Sequence, residues 1–418
     1  MPEGKARFAV LLCLAGFFCS GSQAAVITGV VTAPGGGTPR PVFVEAQDTN
    51  THRTVAVLAD DTDHYRIGNL PAGTFKVFAR AAGYGVDTDR TVTVASDARQ
   101  GLDLVLSQRA VRWGDLSIHQ ARELFPEGKG SDLLFEHCTA CHGFQSEMAN
   151  ASNDAEGWKM RVEHEQSRYG GELAHLTAQD VQDISYYLAR LFGPQSVLEK
   201  SPAERTGEDR HAGYLDTVPR YGPDSEGIVY VEYDAPPPDF PLPRTVTADL
   251  DSIEKARNAD DLQLDDHGNA WLTDPKANEL ARIDRKTLRV SQWELPTPNA
   301  GPRRVQVASN GVIWLTEFRA NKLASFDPAT KRFKEYVLPG SDPSPWALAF
   351  DAAGDLWYSS YNMDEVARFD TGTGKVTRYP CPHVEFSARE FRRDSAGRIW
   401  YASAANHKVG YFYLQTRQ

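Results

Sequence analysis

The stretch Gly354-Asp355-Leu356-Trp357-Tyr358, followed by Ala367-Arg368-Phe369-Asp370, decides the reading of the C-terminal half of the chain. Trp357 has counterparts at a constant spacing of 43 residues: Trp271, Trp314 and Trp400. Asp284, Asp327 and Asp370 keep the same interval, as do Trp293, Tyr336 and Tyr379. Each unit reads as a glycine turn, a strand carrying Trp, a polar turn, a strand ending in Asp, and an alternating strand ending near Pro. A repeat of this length with four short strands is the signature of a β-propeller blade. The fourth unit stops at Tyr413, before an outer strand of its own. Upstream, Ile228-Val229-Tyr230-Val231-Glu232-Tyr233 has the missing strand's pattern and is expected to complete the last blade, removing an open edge. That arrangement gives about four blades over residues 227–418; a degenerate fifth within 240–257 is the alternative.

Before this region the pattern changes. Residues 196–226 are polar and rich in Pro, Gly and charge, and read as a linker. Residues 113–195 read as a small all-α domain. Ile118, Ala121, Leu124 and Phe125 share one helix face before Pro126. Val181, Ile184, Tyr187, Leu188 and Leu191 form a second amphipathic face, with Thr177 as N-cap and Gly193-Pro194 as the stop. Between these helices lies Cys138-Thr139-Ala140-Cys141-His142. Two thiols at this spacing form thioether bonds to the vinyl groups of one haem, and the following His supplies the proximal iron ligand. The competing readings are a redox dithiol or half of a zinc site, the latter lacking a second cysteine pair. One covalent haem c is therefore the expected cofactor.

Residues 25–108 read as an all-β domain. Apolar residues alternate in Val26–Val31, Val42–Ala46 and Phe75–Ala79, and Leu102–Leu106 closes the set, with turns at Pro34–Gly37 and Pro71–Gly73. Residues 1–24 read as a cleavable signal peptide. Lys5 and Arg7 precede an apolar run from Phe8 to Phe18, and Ser22-Gln23-Ala24 supplies small residues at the cleavage point. The run is short of the roughly 20 residues a membrane anchor needs, so no transmembrane segment is expected and the destination is periplasmic or secreted. Cys13 and Cys19 leave with this segment; Cys381 is then the only cysteine outside the haem motif and reads as a small half-buried apolar residue. The formal charge is −11 for the whole chain and −12 without the signal segment. Such a chain repels nucleic acid and anionic membrane surfaces.

Three resemblances accompany these readings. Tyr65 to Phe75, with Ala82-Gly83-Tyr84, resembles the carboxypeptidase regulatory-like β-sandwich, an accessory fold sometimes linked with carbohydrate binding. The helical region resembles class I-like cytochrome c domains, which implies a distal Met before the last helix. The matching stretch, Glu165 to Gly170, contains no Met. His164, His175, Met160 and Met148 are the candidates, with His164 favoured; imidazole would lower the potential relative to thioether. A vacant distal site binding small molecules is the other possibility.

Trp314-Leu315-Thr316-Glu317 and Asn321 to Pro328 resemble the streptogramin (virginiamycin B) lyase propellers. That family implies histidines from Pro-His turns, a nearby Glu and a magnesium ion. The corresponding positions hold Asp260, Arg304, Trp346 and Arg389, none of them His; His383 and His407 lie outside the matching turns, and Glu317 reads as a blade-turn carboxylate. Without a positioned base, lyase chemistry has no agent. Arg304, Trp346 and Arg389 share a register at the propeller mouth and suit an anionic or planar ligand.

The expected protein is multidomain and mainly β: a β-sandwich, a one-haem helical domain and a C-terminal β-propeller. The expected function is electron transfer, with a redox partner protein or small carrier and a small molecule or glycan at the propeller. A haem-fused oxidoreductase acting at the propeller and a non-enzymatic haem sensor are the alternatives.

Overall fold

The computed structural model describes residues 24–34, 41–51, 53–86, 89–139, 143–145, 148–168, 176–202, 213–234, 260–403, 406 and 408–415. The signal segment apart from Ala24, Cys141, His142, His175, His407 and the stretch 240–257 lie outside the described residues. The fold is mainly β, with a small helical region between two β regions.

Among the described residues nine strands build the first region: Ala25–Thr32 (β1), Phe43–Asp48 (β2), Thr54–Leu58 (β3), His64–Leu70 (β4), Gly73–Ala81 (β5), Tyr84–Val86 (β6), Arg90–Val94 (β7), Arg99–Gly101 (β8) and Leu104–Gln108 (β9). Ile27, Val44, Ala46, Val55, Phe75 and Val77 meet in its core. Each of the four alternating runs of the sequence overlaps a strand here, with Val42 just before β2 and Leu102-Asp103 just before β9. Strand β3, Thr-Val-Ala-Val-Leu, gave no period-two signal because all five residues are buried. One edge of β3 pairs with β2 and the other with Ile228–Asp234 (β10).

Strand β10 ties the molecule together. Its second edge pairs antiparallel with Lys408–Leu414 (β25), from Ile228↔Leu414 to Asp234↔Lys408. The strand expected to complete the last propeller unit does so. It also fuses that unit to the N-terminal β region in one continuous sheet, so the two are not separated by a mobile tether.

Among the described residues the C-terminal region holds four four-stranded antiparallel units. They are Asp261–Leu264, Ala270–Asp274, Glu279–Ile283 and Val290–Glu294 (β11–β14); Pro302–Val307, Ile313–Glu317, Lys322–Asp327 and Arg332–Val337 (β15–β18); Pro345–Phe350, Leu356–Ser360, Glu365–Phe369 and Val376–Pro380 (β19–β22); and Ala388–Arg393, Ile399–Ser403 and β25 (β23–β25) with β10. The repeated residues have repeated jobs. Trp271, Trp314 and Trp357 stack on Trp293, Tyr336 and Tyr379, with ring centroids 5.6, 5.4 and 5.2 Å apart. Asp284 and Asp370 accept backbone N–H groups two and three residues ahead, which closes the polar turns.

A second 43-residue series joins neighbouring units. Thr273, Thr316 and Ser359 donate their hydroxyls to the carbonyls of Arg303, Trp346 and Ala388 on the next inner strand, at 2.7, 3.2 and 2.7 Å. The fourth position is Ala402, which is exposed. On the opposite flank, Leu262 and Leu264 of β11 are 52% and 62% exposed, whereas Val305 and Leu348, at the register of Leu262, are buried. The four units are thus latched in series; a fifth within 240–257 falls outside the described residues.

The helical region contains Ile118–Leu124 (α1), Ser131–Leu133 (α2), Ala155–Arg168 (α3) and Ala178–Phe192 (α4). Helix α1 starts at Ser117, boxed with Gln120; α4 starts at Thr177, boxed with Asp180, and stops at Gly193. Phe125 sits at the centre of the core, with Phe135, Phe144 and Phe192 rings 5.3–6.1 Å away. The segment read as a linker is packed where it is described. Tyr214 and Thr217 are buried against the helices, and Tyr221 donates to Glu365 at 2.8 Å. Polarity concealed this, because the few aromatic residues in the segment do the anchoring.

Candidate functional site

The Cys138–His142 segment begins where α2 runs into a π-helical turn, Leu134–Cys138. Gly130 starts this element with φ +87°; a Cβ there would lie 2.4 Å from the Asp183 carbonyl oxygen, so α2 rests directly on the α4 backbone. Cys138 is half-buried and packs against the apolar core. Thr139 Oγ1 donates to the Phe135 carbonyl at 2.8 Å, fixing the turn that presents the thiol. The chain is described again at Gly143, the residue after the motif. A Cβ on Gly143 would lie 2.0 Å from Gln145 Oε1 and 2.7 Å from Glu385 Oε1. The backbone following the motif therefore abuts a propeller loop.

Of the four distal candidates, His164 and Met160 lie on the exposed side of α3, whose inner face is formed by Trp158 and Val162. Met148 is buried in the core, and His175 is outside the described residues. The indole N–H of Trp158 is buried with no hydrogen-bond acceptor among the described residues. A half-buried thiol against an aromatic core and an unmet buried donor are features that a haem, with its apolar ring and anionic propionates, fits.

Helix α1 fastens this region to the propeller. Arg122 Nη1 lies 3.2 Å from Asp342 Oδ2, and His119 contacts Ser341 Oγ at 3.1 Å. Burial holds the His119 imidazole below its usual pKa, against the opposing pull of Glu123 and Asp342. Phe318, Trp346 and Tyr361 of the propeller belong to the same apolar cluster as Phe125 and Phe192.

The three mouth residues do meet. The Arg389 guanidinium carbon lies 4.8 Å from the Trp346 ring centroid, and Arg304 Nε donates to the Arg389 carbonyl at 2.7 Å. They do not form an open mouth. Trp346 is 5% exposed, Arg304 also pairs with Asp260 and Glu390 at 3.3 and 3.0 Å, and the ring's stacking is taken by Arg389 and by Arg303 at 4.5 Å. Sequence reasoning missed Arg303, one place off the register, and the helical region that covers this face.

Two acids stand out at the propeller's edge near the helices. Glu317 is fully buried, its carboxyl has no hydrogen-bond partner among the described residues, and burial with the nearby Glu335 carboxylate lifts its pKa to about 8. Asp364 is held at φ +54° and accepts the Phe386 N–H on Oδ1 at 2.8 Å. Burial raises its pKa to about 8 against that hydrogen bond, and Oδ2 has no partner among the described residues. Nearby, His383 Nε2 lies 2.6 Å from Glu232 Oε2, and its Nδ1 lies 3.1 Å from Arg80, which itself pairs with Glu45. His383 is thus the seam between the propeller and the N-terminal sheet, a role no sequence signal marked. Cys381 is fully buried rather than half-buried, and burial pushes its thiol well above the ordinary range. That environment makes it inert.

Residues 254–416 match the virginiamycin B lyase family. Among solved structures, a streptogramin B lyase is 27% identical, over 37% of this chain and 51% of that one, with a TM-score of 0.36. A virginiamycin B lyase from Staphylococcus aureus is 27% identical, over 35% and 48%, with a TM-score of 0.33. The WD40 β-propeller domain of Doa1 is 12% identical, over 38% and 51%, with a TM-score of 0.33. The chain spans about half the length of these structures. No curated protein matches it. The family match and the four repeated sheets together make the C-terminal region a β-propeller related to the virginiamycin B lyase fold. Among the described residues, no helix is long and apolar enough to cross a membrane.

Proposed function

We propose that the protein is an exported mono-haem c-type cytochrome that carries electrons, with the propeller as the body on which its haem domain and a ligand or partner are held. Cys138 and Cys141 would bind the haem covalently, His142 would hold the iron, and His164 is the proposed distal ligand. When bound, the haem supplies a one-electron couple. The chain's own part would be to hold Cys138 against the apolar core that contains Phe125, Phe135 and Phe144, and to fix the domain on the propeller through Arg122 and Asp342. The observation that carries this reading is the Cys138–His142 pentapeptide, with Cys138 half-buried against that aromatic core. The lyase reading is set aside because Asp260, Arg304, Trp346 and Arg389 put no imidazole at the matching turns.

The test is expression of the full chain with haem-maturation machinery, followed by reduced and oxidised visible and near-infrared spectra. A covalent c-type spectrum, abolished by the joint substitution of Cys138→Ala and Cys141→Ala, supports the assignment. No covalent haem overturns it. A methionine–iron band keeps the cytochrome but rejects His164, as does a His164→Phe variant with unchanged spectra in both oxidation states. One observation favours a second reading, a haem-fused oxidoreductase: Gly143, directly after the motif, borders a propeller loop that lines a cavity. Substrate-dependent haem reduction would favour that reading; reversible exchange with a small cytochrome favours transfer.

A further inference from the structure

The turn after the inner strand of each propeller unit begins six places before the repeat Trp, at Asp265, Ala308, Asp351 and Asp394, which are 43 residues apart. In the first, third and fourth units the carboxylate is held in one way. Its Oδ2 accepts the indole N–H of Trp271, Trp357 and Trp400 at 3.0, 3.1 and 2.8 Å. Its Oδ1 accepts the backbone N–H two residues ahead, from His267, Ala353 and Ala396, at 3.0, 2.8 and 3.0 Å. The second unit keeps the same backbone turn: the Ala308 N–H donates to the Val312 carbonyl and the Gly311 N–H to the Ala308 carbonyl, both at 2.9 Å. Ala308, however, has no carboxylate to offer.

Two donors are left at the spacing that one carboxylate spans. The Asn310 N–H and the Trp314 indole N–H have no acceptor among the described residues, while the Val312 N–H is taken by Asn310 Oδ1 at 3.1 Å. Unlike the indole nitrogens of Trp158 and Trp346, that of Trp314 is not sealed from solvent. Ala308, Asn310 and Trp314 line a cavity of 910 Å³, within the range of small-molecule sites. Arg392 and Arg393 reach the same cavity from the fourth unit. Arg392 pairs with Glu390. Arg393 is exposed, and its guanidinium has no ion pair or hydrogen bond among the described residues. The acid on this wall, Asp351, is already held by Trp357 and by Arg368 at 3.1 Å.

Water satisfies either N–H singly. The three sister turns show what the pair is shaped to hold, a planar group with two charged oxygens, and hydrogen bonds to such a group are roughly twice as strong as those to a neutral acceptor. The free guanidinium favours the same charge. We propose that this cavity binds a small organic carboxylate, which takes the N–H groups of Asn310 and Trp314 as Asp265, Asp351 and Asp394 do in their own units, with Arg393 as counter-charge. The site lies at the opposite end of the inner strands from Asp260, Arg304, Trp346 and Arg389, and it does not involve the haem.

The test is titration calorimetry on the full-length protein with acetate, succinate, glutarate and citrate, with succinamide as the neutral comparison and sulfate as an anion of another shape. At least one carboxylate is expected to bind, and to shift the indole N–H resonance of Trp314, identified by its absence from Trp314→Phe. Ala308→Asp supplies the chain's own carboxylate, as in the other three units, and should weaken binding roughly tenfold or more. Arg393→Gln, at an exposed position, should weaken it severalfold and reduce its dependence on salt. Unfolding curves confirm that each variant folds; should Ala308→Asp fail to fold, Arg393→Gln and the Trp314 resonance decide. The proposal is overturned if no carboxylate binds, if succinamide or sulfate binds as tightly, if folded Ala308→Asp binds as wild type does, or if binding leaves the Trp314 resonance unmoved. None of these readouts uses the haem, so each failure leaves the cytochrome reading standing.

Discussion

Arg304 of β15 donates from Nε to the backbone carbonyl of Arg389 at 2.7 Å, joining the second propeller unit to the fourth. The same guanidinium lies 3.3 Å from Asp260 Oδ2 and 3.0 Å from Glu390 Oε2, so one side chain gathers three units. Burial already raises the Glu390 pKa despite Arg304. Arg304→Met keeps much of the stem but takes one cation from two carboxylates, which keep Arg303 and Arg392, and a donor from the Arg389 carbonyl. A loss of roughly 1–3 kcal/mol is expected, read as a lower midpoint in denaturant unfolding with unchanged slope. A loss below about 0.5 kcal/mol would mean that the cluster is only a solvated rim.

The hydroxyl series predicts a graded response. Thr316 is fully buried; its Oγ1 donates to the Trp346 carbonyl and accepts the Arg304 N–H at 2.9 Å. Thr316→Val keeps the shape and removes both bonds, at a cost of roughly 1–3 kcal/mol. Ala402→Thr, at the exposed fourth position, should change stability by less than about 0.5 kcal/mol. Thermal unfolding of the two variants side by side separates a latch from a general intolerance of β-branched exchange.

Glu365 and Arg378 form the strongest buried pair of the third unit. Arg378 donates from Nε at 2.8 Å and from Nη2 at 2.5 Å, and Tyr221 donates to the same carboxylate. Glu365 is 1% exposed, and burial holds its pKa above the usual range even so. Arg378→Met leaves that carboxyl with Tyr221 as its main partner and should cost roughly 3–5 kcal/mol. Glu365→Gln with Arg378→Met together should recover much of it, because the orphan charge is then gone. A double-mutant cycle by chemical denaturation decides this; additive losses would contradict the pairing.

The propeller was legible because its signal is redundant. Trp357, Asp370 and Tyr379 each repeat, and each repeats for a physical reason: stacking, turn closure and stacking again. The cap at Thr177 was legible, since a capping box is a local device. What lay hidden is what depends on contacts between distant segments. Strand β10 reads as one blade's edge, and nothing in its alternation says that β3 takes the other side. Trp346 and Arg389 share a register, yet the helices that cover them are set by Arg122 and Asp342, 220 positions apart. His383 carries no motif at all. Its meaning arises only when the propeller and the N-terminal sheet meet, which a periodicity cannot express.

The pH dependence of stability offers a sharper test of one carboxyl. Glu317 is buried beside Glu335, whose own oxygens are engaged by Lys322 at 2.7 Å and Thr297 at 2.9 Å. The folded pKa of Glu317, about 8, exceeds the ordinary glutamate value of 4.5. Between these values the folded state binds a proton that the unfolded chain has released, so stability is fully present below the lower value and falls as pH rises toward the upper one. One such group contributes a slope of about 1.4 kcal/mol per pH unit inside the window. Asp364, also raised to about 8, adds a second slope of the same sign. Glu317→Gln removes the first and leaves the second. Unfolding free energies measured from pH 5 to 8 should therefore fall less steeply in the variant, by about one proton's worth. The variant should gain on wild type as pH rises, with the largest gain near pH 8. Parallel pH profiles for the two proteins would show that Glu317 ionises freely in the folded chain, and that its carboxyl reaches solvent.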